Sequence, residues 1–139
     1  MQKRWTLISV LMAILVISGI SACTKTTEVG LKPILELKEA PGYINTDTTL
    51  YPDITYHILA SGTRSEDKSL LSVFEVVRTN SGGADTSVYY EDLKGDRQVS
   101  FTYDYRFNTL KTKGTERFTF TVKNIYGIVN QKILVVTVK

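Results

Sequence analysis

The segment Val99–Phe107, VSFTYDYRF, alternates apolar and polar residues along its whole length. Val99, Phe101, Tyr103, Tyr105 and Phe107 share one parity; Ser100, Thr102, Asp104 and Arg106 share the other. Successive side chains of a strand point to opposite faces, so this period of two predicts a half-buried β-strand. Glu116–Asn124, ERFTFTVKN, repeats the pattern, with Phe118, Phe120 and Val122 inward and Thr119, Thr121 and Lys123 outward. Asn124–Gly127 then reads as a turn, Gly127 being free to take a positive φ. Gln131–Lys139 returns as the last strand, with Leu134, Val136 and Val138 on its core face.

Earlier strands are less regular. Lys32–Lys38 predicts an edge strand, because Pro33 lacks a backbone donor. Ile54–Ser61 alternates with Ile54, Tyr56, Ile58 and Ala60 inward. Leu70–Thr79 has apolar residues of both parities, which predicts a bulge or two covered faces. Ser87–Asp92 is a further short strand. The links GTRSEDK, NSGGAD, KGDR and NTLKTKGT carry turn residues, and no helix is expected in this part of the chain. About seven strands at this spacing predict an all-β fold, a single immunoglobulin-like antiparallel β-sandwich over residues 32–139. The paired cysteines of antibody domains are absent, and the one tryptophan, Trp5, lies outside the strand-forming region.

The N-terminus has a different character. Gln2, Lys3 and Arg4 precede an apolar run from Trp5 to Ile17, and small residues follow at Ser18, Gly19, Ser21 and Ala22. A basic start, an apolar stretch and a small-residue exit predict a secretory signal peptide over residues 1–22. The run is shorter than the ~20 residues of a membrane span. Its exit, Ile20-Ser21-Ala22-Cys23, resembles a bacterial lipobox. That resemblance implies cleavage between Ala22 and Cys23 and acylation of Cys23, the only cysteine in the chain. More than one acyl chain gives stable anchoring where one gives marginal binding. A domain without a second thiol has to be held by its core alone. Residues 23–31 form the lipidated cysteine and a short polar tether, with TKTTEVG after the cysteine. Thr24 stands where Gram-negative lipoproteins retained at the inner membrane commonly carry aspartate, so the expected location is the cell envelope, at the outer membrane if the cell has one.

The strand-forming region also carries a resemblance. GYINTDTTL (Gly42–Leu50), LLSVFEVVRT and GTERFTFTVKNIYG (Gly114–Gly127) look like small single-domain bacterial lipoproteins with an Ig-like or PKD-like sandwich. The resemblance covers about Ala40–Lys139 and implies the fold. That group is mostly of unknown function and brings no catalytic residues.

Few residues suggest chemistry. The chain has 17 basic and 14 acidic residues, and Lys3 and Arg4 leave with the signal, so the remainder is nearly neutral and has no basic block for nucleic acid. His57, the only histidine, has outward parity. GxSxG, HExxH, CxxC and P-loop motifs are absent. Glu66 and Asp67, Glu91 and Asp92, and Asp96 are the acidic groups that could suit calcium, but they lack EF-hand spacing, and solvated loop carboxylates are the simpler reading. We therefore expect no metal, no cofactor and no catalytic residue. Of the eight tyrosines, Tyr89 and Tyr90 are adjacent in a strand, so one of them has to face outward. These two, with the Asn80–Asp85 loop, are the candidate contact for a glycan or protein partner, because an exposed tyrosine can stack on a sugar or anchor a protein contact. The expected function is a lipid-anchored, non-enzymatic envelope module that binds a glycan or a protein. The alternative is a structural subunit of a larger envelope assembly.

Overall fold

The computed structural model describes residues Leu31–Lys139. The signal peptide, its cleavage at Ala22–Cys23, the acylation of Cys23 and nearly all of the tether lie outside the described residues. Eight strands follow one another: β1 (Ile34–Leu37), β2 (Thr48–Leu50), β3 (Thr55–Thr63), β4 (Leu71–Asn80), β5 (Asp85–Asp92), β6 (Ser100–Asn108), β7 (Gly114–Asn124) and β8 (Val129–Val138), with a 3-10 turn at Gly95–Gln98 between β5 and β6. They form a three-stranded sheet ordered β1-β3-β6 and a five-stranded sheet ordered β2-β8-β7-β4-β5. The fold is an immunoglobulin-like sandwich.

β7 shows why the layers meet as they do. Its period of two turns Glu116, Phe118, Phe120, Val122 and Asn124 into the interior, and all five are buried. Phe74 and Val76 of β4 and Leu134, Val136 and Val138 of β8 join them from the same sheet. Ile58 and Ala60 of β3 and Phe101, Tyr105 and Phe107 of β6 close the core from the other. Tyr105 meets Phe118 and Phe120 edge-on, at ring centroid distances of 5.7 and 6.1 Å. Gly62 faces Phe101 in the β3–β6 ladder, and a Cβ there would stand 2.2 Å from that ring. The glycine gives the phenylalanine its space.

The mixed parity of Leu70–Thr79 has a local cause. The β4–β7 register shifts between Leu71 and Val73, so Ser72 is an extra residue and both Leu71 and Phe74 point inward. A second bulge lies across β4–β5, where Val76 faces Tyr89 but Val77 faces Ser87, leaving Val88 unmatched.

Four details differ from the sequence expectation. β2 is an additional strand, and it pairs in parallel with β8 (Thr48 with Val136, Leu50 with Val138), so the sandwich is not wholly antiparallel. Three residues carry too little pattern to reveal a strand. Ile54 is 43% exposed: it precedes β3 and belongs to the turn that enters it. Val99 is 39% exposed because it ends the 3-10 turn instead of starting β6. β5 begins at Asp85, ahead of Ser87.

The register defines two ends. Leu31 and the β3–β4, β5–β6 and β7–β8 links lie at one, the N-terminal pole. The β4–β5 and β6–β7 links and Lys139 lie at the opposite pole.

Candidate functional site

The strand that carries the candidate tyrosines, β5, is an edge of the five-stranded sheet, bonded among the described residues to β4 alone. Tyr89 faces Val76 across the ladder and so turns inward. Its ring stacks on Tyr103 with centroids 4.0 Å apart and lies 5.9 Å from Phe74. Tyr90 faces Glu75, turns outward and is 58% exposed. The two candidates therefore divide: Tyr89 packs at the rim of the core, and Tyr90 is on the surface.

Their hydroxyls differ as well. The Tyr89 hydroxyl donates to Glu91 Oε2 at 2.7 Å, and Arg97 holds the same carboxylate through Nε and Nη2 at 2.6 and 2.8 Å. Burial, then the hydrogen bond to Glu91, pushes the Tyr89 phenol up to about 12. The Arg97 hydrogen bond holds Glu91 below the usual carboxylate range. This cluster is closed on itself. Tyr90 donates to Asp92 Oδ1 at 3.0 Å, which raises its phenol above the ordinary value while leaving the ring face open.

The outer face of this sheet continues from Tyr90 across β4, β7 and β8. Glu75, Val77 and Thr79 of β4 stand beside Arg117, Thr119 and Thr121 of β7, and Gln131 and Ile133 follow on β8. A shallow depression of about 390 Å³ runs over them and reaches Asp85. Ser87 donates to Glu75 Oε1 at 2.8 Å and Thr79 to Asp85 Oδ1 at 2.6 Å, so the β5 side of the face has an ordered polar lattice. The face is rich in hydroxyls and carboxylates, with one exposed aromatic at its rim. Such a surface suits hydrogen bonding and ring stacking. The Asn80–Asp85 loop lies at the opposite pole, beyond one end of this face.

The remaining candidates are dispersed. His57 has outward parity and is half-buried; its Nδ1 lies 3.0 Å from Asp104 Oδ1, and its ring meets Tyr43 edge-on at 5.8 Å. No serine, threonine or cysteine hydrogen-bonds to it among the described residues, so the pair does not extend to a nucleophile. Asp67 is held by Arg64, Glu91 by Arg97, and Asp92 by Tyr90. Among the described residues no three histidine, cysteine or acidic groups gather as a metal set, and no helix is long and apolar enough to cross a membrane.

Two buried polar residues of β7 escaped the sequence reading. Glu116 is fully buried and paired with Arg78, whose Nε donates to Glu116 Oε1 at 2.6 Å and whose Nη2 donates to the Asn108 carbonyl at 2.8 Å. Asn124 is buried at the other end of β7 and bonded to four groups. The signal was present: both residues are in phase with Phe118, Phe120 and Val122, and Arg78 is in phase with Phe74 and Val76.

No family model matches the chain, and a comparison with curated proteins returns no match. Among solved structures the chain is similar to murine CRIg, with a TM-score of 0.45 and 12% identity, over 77% of this chain and 98% of that chain.

Proposed function

We propose that the protein is a lipid-anchored, non-enzymatic module of the bacterial cell envelope, held by acylated Cys23 and binding a glycan or protein through the outer face of its five-stranded sheet. The observation that carries the binding reading is Tyr90: an exposed aromatic ring at the rim of a broad face of hydroxyls and carboxylates. The lipobox-like Ile20–Cys23 supports the anchor, and Thr24 favours the outer membrane. The non-enzymatic reading rests on the dispersal of the candidate groups: His57 pairs with Asp104, Asp67 with Arg64 and Glu91 with Arg97, each at a different place in the sandwich.

A structural subunit of an envelope assembly is the second reading. Its support is the outer edge of β5 and of β6, each bonded on one side only among the described residues.

Two experiments test these statements. Cys23→Ser should release the protein from the membrane fraction; unchanged fractionation removes the anchor. Tyr90→Ser should reduce recovery of whatever glycan or protein the wild-type chain captures from envelope extracts. Tyr90 is the informative position, because Tyr89→Ser would also damage the core. Undiminished recovery with Tyr90→Ser removes this face, and turnover of a glycan or peptide by the purified protein would overturn the non-enzymatic reading.

A further inference from the structure

The β7–β8 turn is built around the buried Asn124. Its Oδ1 accepts the backbone N–H of Tyr126 at 3.0 Å and of Ile128 at 2.9 Å, and Gly127 takes φ 81° to complete the turn. Its Nδ2 donates in the other direction, to the carbonyl of Leu31 at 2.9 Å and to Ser69 Oγ at 3.0 Å. Ser69 Oγ donates to that same Leu31 carbonyl at 3.0 Å. One interior side chain thus fixes the start of the described chain and shapes the neighbouring hairpin tip. At the tip Ile125 and Tyr126 are 50% and 57% exposed, although Ile125 N–H is fastened to the Leu70 carbonyl at 2.9 Å. An aliphatic and an aromatic side chain are held out rigidly beside the point where the tether joins the domain.

We infer that this tip docks on the lipid surface that holds Cys23, with Ile125 and Tyr126 at the boundary between headgroups and acyl chains. The inference rests on the reading of Cys23 as acylated. Cys23 and Leu31 are eight residues apart, a reach of at most about 29 Å even when fully extended. The N-terminal pole is the end to which that short reach is fastened. Tyrosine suits the boundary because its ring is apolar and its hydroxyl polar. Exposed Lys32, Lys68 and Lys123 are the sequence neighbours of Leu31, Ser69 and Asn124, so this pole carries three lysines whose ammonium groups suit lipid phosphates. Acidic groups at the same pole are Glu66, Asp67, which is paired with Arg64, Glu91, which is paired with Arg97, Asp92 and Asp96. Two side chains would not hold a soluble protein on a bilayer. With the acyl chains already inserted the contact is intramolecular, and a small patch is enough to orient the domain.

The test uses the full acylated chain in vesicles of phosphatidylethanolamine and phosphatidylglycerol. Acylation occupies the only native cysteine, so a new thiol is unique. Ile125→Cys and, at the opposite pole, Thr112→Cys each receive an environment-sensitive fluorophore. The inference expects a blue shift at position 125 and loss of its emission when lipids with a shallow spin label are included, with no change at position 112. An unquenched probe at position 125 on protein that floats with the vesicles overturns it and leaves the tip free for a soluble partner. Equal quenching at both positions also overturns it, since the domain would then lie on its side. Flotation is read separately: if the wild-type chain floats no better than Cys23→Ser, the anchor reading fails and this inference falls with it.

Discussion

The two poles are closed by the same strand in two different ways. β7 carries a buried polar residue at each end, Glu116 at the opposite pole and Asn124 at the N-terminal one. Glu116 is an ion and needs one: Arg78 neutralises it and reaches on to the Asn108 carbonyl, while Leu110 N–H donates to Glu116 Oε2 at 3.2 Å. Asn124 is neutral and satisfies backbone groups with one amide that both donates and accepts. A buried ion must be matched by an opposite charge, whereas a buried amide needs only hydrogen bonds. The charged closure holds a link of the fold, and the neutral one holds the entry of the chain. Both occupy positions where the alternation of β7 would otherwise have placed one more apolar side chain.

The largest effect should come from between the poles and sets the scale. Phe120→Ala should cost about 3–5 kcal/mol, as truncation of buried aromatics does, while outward-facing Thr121→Ala should be nearly silent. Urea midpoints of the two variants check this; equal midpoints would reverse the face assignment. Next is Arg78→Met, which strands the Glu116 carboxylate and should cost about 3 kcal/mol. Amide exchange should quicken at residues 108–113 and leave residues 124–128 unchanged. Asn124→Ala should cost about 2 kcal/mol through its lost hydrogen bonds and should show the mirror image, with Tyr126 and Ile128 exchanging faster. Glu116 and Asn124 are separated by eight residue steps of one strand, about 26 Å, so the double variant should be additive within ~0.5 kcal/mol. Loosening of both poles by either variant would break the comparison.

The smallest effects are those of pH. Tyr89 and Tyr105, each pushed up to about 12 with burial as the first cause, favour the protonated folded state. Their contribution is complete below the ordinary tyrosine value near 10 and is lost as pH rises from there through about 12. Absorbance of tyrosinate should show a late-titrating fraction, from which Tyr89→Phe and Tyr105→Phe should each remove one group. Glu91 has the opposite sign. Arg97 lowers its carboxyl, so its contribution is present above the ordinary carboxylate value and is lost as pH falls through the lowered one. Arg97→Gln should flatten the acid limb of the unfolding curve.

Legibility in the sequence followed periodicity. The long alternating strands β6 and β7, the core face of β8 and the turn at Gly127 were readable because each residue's parity is fixed by its neighbours. The bulge in β4 was readable as a breakdown of that parity. β2 was not, since its three residues owe their strand to the β8 backbone beside them. Parity alone points Ile54 and Val99 inward, and both lie just before the ladder that would have enforced it. In the candidate site, the split between Tyr89 and Tyr90 was readable, but which of them faces out depends on the bulge at Val88. That bulge is a relation between two strands and leaves no mark in either one. Glu116 and Asn124 were hidden by their residue types, although their phase was plain.

The bulge at Val88 also bears on how copies of this protein behave when crowded. A sandwich has four sheet edges, each a row of backbone groups able to pair with another molecule. Here β1 and β2 are four and three residues long, too short to template much pairing. β5 is eight residues long, but Val88 interrupts its regular pleat and Asp85, Glu91 and Asp92 sit near its ends. Antiparallel pairing of two β5 edges about their midpoint would set Asp85 of one copy against Asp92 of the other, like charge against like. β6 is nine residues long and pairs with β3 in unbroken register, so it is the edge at which strand-mediated clumping would begin. Salt weakens the electrostatic guard on β5 and leaves the bulge intact. Colloidal stability therefore depends on a register irregularity at one long edge, β5, and the other, β6, has no such interruption.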